Sequence, residues 1–294
     1  MHVTDADAAS SDPVAALLAV LDLSWSQART TEDIFVGASQ PMPHGRVYGG
    51  QVLAQSIVAA QRTVDADRAA HSLHGYFLRP GDAERPITFS VDRIHDGRSF
   101  STRRTQAFQN GVPIFSMIAS FELESPGLDH QVPMPEGLPD PESLPISTSS
   151  TAVLSPDRQD AWDRPVEHRH VPSSAYGAAG AGPVLEHAVW MRTPRRLPDD
   201  PALHRAALVY MTDMTIQETV LRAHGIDWST PGLRLASLDH AMWWHRDGRA
   251  DQWLLYVQSS PSARAGRGLT QGRIYSRDGV LLASVAQEIM IRVP

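Results

Sequence analysis

An internal repetition constrains the fold more than any other feature, because the two halves of the chain have the same order of predicted elements. Each half has one helix pattern followed by four strand-like blocks, and a tight-turn dipeptide precedes the last block of each half. These dipeptides are Asn110-Gly111 and Asp278-Gly279, which lie 168 positions apart because 278 − 110 = 168. The repetition predicts a duplicated unit in which one helix packs on an antiparallel sheet, and therefore an α+β fold.

The helix patterns of the two units are predicted at 51–64 and 213–224, after a shorter amphipathic helix at 15–23 and a strand at 33–38. The strand-like blocks of the first half are expected at 70–78, 87–95, 100–109 and 112–123. Those of the second half are expected at 233–245, 252–259, 268–276 and 280–293. If the two sheets join edge to edge, one exposed edge is removed from each.

Proline marks the middle of the chain, since 12 of the 22 prolines lie in residues 126–198. We expect an N-terminal unit at 14–125, a proline-rich linker and loops at 126–184, and a C-terminal unit at 185–294. The linker proper is predicted at Gly127–Ser150.

Composition excludes several classes of function. The formal net charge of −7 argues against a nucleic-acid partner, which requires a basic surface. The chain has no cysteine and no lysine, which removes disulfides, thiolate metal sites, cysteine nucleophiles and Schiff-base chemistry. The acidic start of the chain lacks a targeting pattern, and the apolar run at 15–21 is too short to cross a bilayer. We therefore expect a cytoplasmic protein without membrane insertion.

Metal, cofactor and serine-hydrolase sites find little support. His168 and His170 could place two imidazoles on one strand face, but no third ligand is evident, so neither a metal nor a cofactor is expected. The Gly-x-Ser-x-Gly pattern of the α/β-hydrolase nucleophile is missing from the sequence.

Gln287 is the polar residue that stands out in the last predicted strand. The odd positions from 281 to 291 are otherwise apolar and share one face of the strand, because side chains alternate with period 2. A buried amide without partners costs about 1–3 kcal/mol, so Gln287 either fixes a backbone segment or belongs to a site. The first half has Ala119 at the equivalent position, 168 residues earlier, which favours a site in the second half only.

Asp213 and Ser237 each allow two interpretations. Asp213 opens the second predicted helix, where it can be an ordinary N-cap or a carboxylate kept ionised by the positive end of the helix dipole. Ser237 can be an ordinary strand hydroxyl or a site residue. Alternation places it on the face opposite to His240, a rival polar group that core burial also explains.

Long segments of the chain resemble the acyl-CoA thioesterase II family, over nearly the whole length except the first residues and the proline-rich middle. The first-half segments are HGRVYGGQVLAQ, HSLHGYFLRPGD, DGRSFSTRR and QNGVPIFSMIASF. The second-half segments are LDHAMWWHR and WLLYVQSSPSARAGRGLTQGRIYSRDGVLLASVAQE. The resemblance implies a double hotdog fold, in which two long helices are each wrapped by an antiparallel sheet.

The resemblance also implies an active site and a substrate. The family's Asp, hydroxyl residue and Gln, which hold and activate a water, match Asp213 in YMTDMTI, Ser237 in ASLDHAMW and Gln287 in SVAQE. The expected reaction is hydrolysis of fatty acyl-CoA, and backbone N–H groups near Gly50 and Gln51 could add an oxyanion donor. A homodimer or homotetramer is expected, because leftover edges and faces of such sheets favour closed symmetric assembly.

Two other functions stay open at this point. A hotdog hydratase or dehydratase would have a histidine about five residues after the aspartate, where this chain has Glu218. A non-catalytic acyl-CoA binding module is the third possibility, and the complete set of three site residues argues against it.

Overall fold

A computed structural model of the chain describes residues 12–25, 32–42, 45–147, 165–172 and 186–294. The helices are α1 Pro13–Leu21, α2 Gly49–Gln61, α3 Pro201–Thr212 and α4 Glu218–Ala223, with a 3-10 turn at Pro141–Ser143. The first strands are β1 Ser24–Trp25, β2 Asp33–Gly37, β3 Ala69–Phe77, β4 Ile87–Asp96, β5 Phe100–Gln109 and β6 Val112–Glu122. The later strands are β7 Glu167–His170, β8 Glu186–Arg192, β9 Arg234–Ser237, β10 Asp239–Trp244, β11 Leu254–Arg264, β12 Arg267–Ser276 and β13 Leu281–Arg292. No helix in these described ranges is long and apolar enough to cross a membrane.

All described strands belong to one antiparallel sheet, which confirms the predicted double hotdog. The strand order is β1-β2-β4-β5-β6-β3-β10-β13-β12-β11-β8-β7, with β9 paired to β13. The halves meet where β3 pairs antiparallel with β10, with Gly75 opposite His240. This pairing gives each sheet a neighbour at an edge that would otherwise be exposed, as the sequence predicted.

Helix α2 packs on the first-half sheet and against α3. Leu53, Ala54 and Ile57 are buried in the core, and a leucine buried as fully as Leu53 contributes about 1.5–3 kcal/mol to folding. Gly50 allows the start of α2 to approach the end of α3, because a Cβ atom there would lie 2.4 Å from the Tyr210 carbonyl oxygen. This close approach brings the N-terminal end of α2 to the C-terminal end of α3.

The predicted helix at 213–224 is wrong in its first part. The chain instead forms α3 at Pro201–Thr212, turns at 213–217, and the short α4. Asp200 is the N-cap of α3, since its side chain accepts a hydrogen bond from the Ala202 N–H. Asp213 is the C-cap of α3 and not the N-cap of a following helix.

The predicted strand at 233–245 is divided into β9 and β10 at Leu238, whose N–H bonds the Glu288 carbonyl. Ser237 pairs with Ile289, and Ala241 pairs with Ala286. Between these two pairs the chain advances four residues along β9–β10 but only three along β13. One extra residue in one strand is a β-bulge, which changes the direction of the side chains around it.

Residues 134–144, in the proline-rich middle of the chain, pack on the second-half sheet. Met134, Leu138 and Leu144 cover a cluster that includes Trp190 and Trp253. The part of the predicted linker up to residue 147 therefore covers an apolar surface, while the boundaries of the three predicted segments stay a prediction.

Candidate active site

Asp213, Ser237 and Gln287 come together in the structure, although the chain separates them by 24 and 50 residues. Gln287 Nε2 donates to Asp213 Oδ1 at 2.8 Å and lies 2.9 Å from Ser237 Oγ. Ser237 Oγ donates to the same carboxylate oxygen at 3.0 Å. Three different elements thus supply the three groups: the end of α3, the end of β9 and the middle of β13.

The other oxygen of Asp213 is bound by the first half of the chain. The Gly50 N–H, in the first turn of α2, donates to Asp213 Oδ2 at 3.0 Å. Asp213 therefore does occupy the positive end of a helix dipole, but the helix is α2 rather than the one predicted to follow it. This is the physical correction to the sequence-based interpretation, since the C-terminal end of α3 disfavours a negative charge.

Burial controls the charge of Asp213. Its side chain is 5% exposed, and burial raises the pKa of its carboxyl from the ordinary 3.8 to about 6. Hydrogen bonds from Gln287, Ser237 and Gly50 oppose this shift, because they stabilise the ionised form. A carboxylate with a pKa near 6 is mostly ionised at neutral pH and is more basic than an exposed aspartate.

His240 holds the amide of Gln287 from the opposite side. His240 Nδ1 lies 2.5 Å from Gln287 Oε1, and both side chains are buried. Burial lowers the pKa of His240 to about 4, so the ring is neutral at pH 7. Because the amide oxygen only accepts, the proton is assigned to Nδ1, and the Gln287 amide group then points at Asp213 and Ser237.

The site contains residues that the sequence did not reveal. Gln217 Nε2 donates to Ser237 Oγ at 3.0 Å, and Thr212 Oγ1 lies 3.2 Å from His240 Nε2. Alternation had placed Ser237 and His240 on opposite faces, but the bulge at Leu238 brings both to Gln287. A turn residue such as Gln217 has no pattern from which a site could be predicted.

The suggested additional donors at the start of α2 are already engaged. The Gly50 N–H bonds Asp213, and the Gln51 N–H bonds the Tyr48 carbonyl at 3.1 Å. In this arrangement the Gly50 N–H holds the Asp213 carboxylate, and the oxyanion donor suggested there stays a prediction.

His170 lies beside two titratable side chains from other elements. His170 Nδ1 lies 2.9 Å from His187 Nε2 on the neighbouring strand β8, and 3.8 Å from Glu218 Oε2 on α4. His168 is buried elsewhere on β7. The fold thus groups His170 with a histidine and a glutamate that are distant from it in sequence.

The triad arrangement can activate a water. The ionised Asp213 carboxylate can accept a proton from a water that displaces one of its present hydrogen bonds, and a hydroxyl and an amide lie within hydrogen-bond distance of its Oδ1. These groups suit general-base attack by water on a carbonyl, with the amide or hydroxyl able to stabilise the developing oxyanion.

Comparison with known proteins identifies relatives over most of the chain. A family described as acyl-CoA thioesterase matches residues 157–290, and one described as the acyl-CoA thioesterase N-terminal domain matches residues 38–122. Human acyl-coenzyme A thioesterase 8 is 36% identical over 276 residues, covering 89% of this chain and 85% of the relative. Acyl-CoA thioesterase 2 of Haemophilus influenzae is 34% identical, covering 88% of this chain and 92% of the relative.

A solved structure gives the same result. The crystal structure of an acyl-CoA thioesterase II from Mycobacterium marinum superposes with a TM-score of 0.79 at 43% identity. The match covers 95% of this chain and 98% of that one. A hotdog-fold protein from Alicyclobacillus acidocaldarius, 18% identical with a TM-score of 0.75, shows the shared fold alone.

Proposed function

Because this chain belongs to the acyl-CoA thioesterase II family, it hydrolyses acyl-CoA, and we propose that Asp213, Ser237 and Gln287 activate the attacking water. The observation that carries this assignment is the carboxylate oxygen Asp213 Oδ1, which both Ser237 Oγ and Gln287 Nε2 contact within 3.0 Å. Fatty acyl-CoA, as opposed to a shorter acyl-CoA, is part of the proposal.

In the proposed reaction, Asp213 removes a proton from a bound water as the water oxygen attacks the thioester carbonyl carbon. The carbonyl electrons move to oxygen, and the tetrahedral intermediate then collapses with cleavage of the C–S bond. The thiolate of CoA leaves and receives the proton from Asp213, which restores the carboxylate. General-base assistance of this kind contributes about 10²–10⁴-fold to the rate.

Ser237 and Gln287 position the water or stabilise the oxyanion. In the structure without substrate, they hydrogen-bond Asp213 and each other. One such preorganised donor contributes about 10²–10³-fold when it faces the developing negative charge. The His240 ring restrains the Gln287 amide so that its N–H groups face the reacting centre.

A thiol-release assay tests this function directly. The purified chain is incubated with acyl-CoA esters of several chain lengths, and free CoA is measured against a blank with Asp213→Asn. We expect release of CoA from fatty acyl-CoA, and the series of esters measures the preferred chain length. Release of CoA that Asp213→Asn leaves unchanged would contradict the site assignment, and addition of water to an enoyl-CoA without release of thiol would indicate a hydratase.

We also propose a homodimer or homotetramer in the cytoplasm. The outer face of the central strands exposes Tyr76 on β3, Ile118 on β6 and Trp243 on β10, which supports association of this face with a second copy. Light scattering at micromolar concentration should give a multiple of the 32.2 kDa chain mass, and a value of one chain would exclude the oligomer. The cytoplasmic location is tested by cell fractionation.

A further inference from the structure

A second group of titratable side chains lies outside the hydrolytic site, where β7 and β8 meet α4. His170 on β7, His187 on β8 and Glu218 at the start of α4 each present one ligand atom, and these atoms lie within 4.8 Å of one another. The side chains of His187 and Glu218 are almost fully buried, and that of His170 is 26% exposed. The proposed hydrolysis uses none of the three.

A hydrogen bond on its far side orients the His187 ring towards the cluster. His187 Nδ1 faces the Gln258 amide oxygen at 3.4 Å, and Gln258 Nε2 donates to Thr215 Oγ1 at 2.6 Å. An acceptor at Nδ1 keeps the proton there and leaves the lone pair of Nε2 pointing at His170 and Glu218.

The spacing of the ligand atoms fits a tetrahedral ion. Two imidazole nitrogens bound to zinc at about 2.0–2.1 Å are separated by about 3.3 Å in tetrahedral geometry. The His170 and His187 nitrogens are 2.9 Å apart, and Glu218 Oε2 lies 3.8 Å from His170 Nδ1. The rings need to separate by only a few tenths of an ångström, while His170 moves its proton to Nε2.

We propose that His170, His187 and Glu218 bind one divalent transition-metal ion of the zinc class. Two imidazoles and one carboxylate form a donor set that zinc prefers, with a fourth position left for water or another ligand. The ion connects β7 and β8 to α4. Because Gln217 immediately precedes α4 and donates to Ser237, the ion also restrains the segment that carries part of the hydrolytic site.

Arg222 tests whether the bound ion carries a positive charge. Its guanidinium lies 3.4 Å from Glu218 Oε2, one turn further along α4, and its charge opposes a dication. Removal of the Arg222 charge should therefore strengthen binding of a cation. Removal of a ligand should weaken it.

The experiment uses the full chain without a histidine tag, after EDTA treatment and dialysis. Zinc chloride is titrated by calorimetry, and cobalt chloride is titrated by visible absorption, which reports four-coordinate geometry. We expect about one ion per chain and a rise in Tm with zinc. His170→Ala, His187→Ala and Glu218→Gln should each weaken binding at least about 10-fold, and Arg222→Gln should strengthen it several-fold.

His74→Ala is the matched control, since His74 is exposed on β3 and should leave the affinity unchanged. His170→Ala keeps the test decisive if the more buried His187→Ala fails to fold. Absence of binding, or binding that the ligand substitutions leave unchanged, would overturn the proposal. Because binding is measured without substrate, either result leaves the proposed hydrolysis intact.

Discussion

The carboxylate of Asp213, at the C-terminal end of α3, accepts a hydrogen bond of 3.0 Å from the backbone N–H of Gly50, at the N-terminal end of α2. The first half of the chain lacks a carboxylate and an amide of its own at the equivalent positions, yet its helix stabilises the charge in the second half. The proposed site is therefore a property of both halves, and neither half contains all of its parts.

Asp213→Asn should lower kcat at least about 10²-fold, because the general base is lost. Asn keeps an oxygen that can accept from the Gly50 N–H, so the contact between α2 and α3 should survive. Steady-state kinetics and a melting curve on the same preparation measure both effects.

Asp200→Ala is the control for this variant, since Asp200 and not Asp213 caps the N-terminus of α3. Loss of that cap should cost about 1 kcal/mol of stability and leave kcat nearly unchanged. A variant Asp213→Asn that keeps most of its activity would show that Asp213 has only a structural role.

The charge of Asp213 should produce a pH dependence in both activity and stability. The rate should rise as the pH increases through about 6, where the carboxyl with its raised pKa becomes ionised. The unfolded carboxyl ionises near its ordinary pKa of 3.8, so between 3.8 and about 6 the folded chain binds more protons. Stability from this group is therefore present at low pH and lost as the pH rises through that window.

His240 has the opposite effect on the pH dependence of stability. Its pKa in the folded chain is about 4, below the ordinary 6.5, so the stability that it contributes is lost as the pH falls. The difference in stability between wild type and Asp213→Asn isolates the carboxyl. Urea unfolding at several pH values should show wild type losing stability relative to the variant from pH 4 to pH 6. A constant difference would contradict a raised pKa.

Gly49→Ala should reduce activity indirectly, by displacing the carboxylate of Asp213. A Cβ atom at Gly49 would lie 2.6 Å from Asp213 Oδ2 and 3.2 Å from the Phe77 ring, so the carboxylate must move. A displacement of about 1 Å at a catalytic group can reduce the rate about 10²-fold. Gly127→Ala is the control, since its Cβ would meet no atom within 4 Å. Equal kcat values for the two variants would show that activity does not depend on the exact position of the Asp213 carboxylate.

The parts of the structure that depend on local pattern could be predicted from the sequence. Period-2 alternation located β13 and the buried face that includes Gln287. The bounds of α3 could not be predicted from the sequence. The helix begins at Asp200-Pro201, directly after a proline-rich stretch in which no helix pattern is evident. The roles of Gln217 and His240 depend on a turn and a bulge, which only the three-dimensional pairing of β9, β10 and β13 reveals.

A single hydrolytic site per chain is expected, because Ala119 occupies the first-half position that corresponds to Gln287. Ala119 is buried and apolar, and His71 on the neighbouring strand bonds Ser120 at 2.8 Å instead of a carboxylate. Titration with a non-hydrolysable acyl-CoA should saturate at about one ligand per chain at the site that Asp213→Asn alters. Two equivalent sites per chain would contradict the expectation that the first half has no hydrolytic site.

Gln287→Ala tests the amide, which is 0% exposed between Asp213 and His240. The substitution removes the donor to Asp213 and leaves the His240 N–H without its acceptor, so stability should fall by about 1–3 kcal/mol. It also removes the largest of the hydrogen bonds that lower the pKa of Asp213, so the midpoint of the pH–rate profile should move upward. kcat should fall about 10²-fold with little change in KM, because the amide acts at the reacting centre.

The matched control is Gln55→Ala on α2, where another fully buried amide donates to the Val20 and Ala38 carbonyls, each at 2.7 Å. Both substitutions remove a buried glutamine of the same size, and both should therefore lower Tm. Only Gln287→Ala should lower kcat and displace the pH–rate midpoint, because Gln55 hydrogen-bonds backbone carbonyls rather than the carboxylate. If the two variants lose stability equally and both keep normal kcat, then Gln287 is a structural amide, and the assignment of the site is reduced to Asp213 and Ser237.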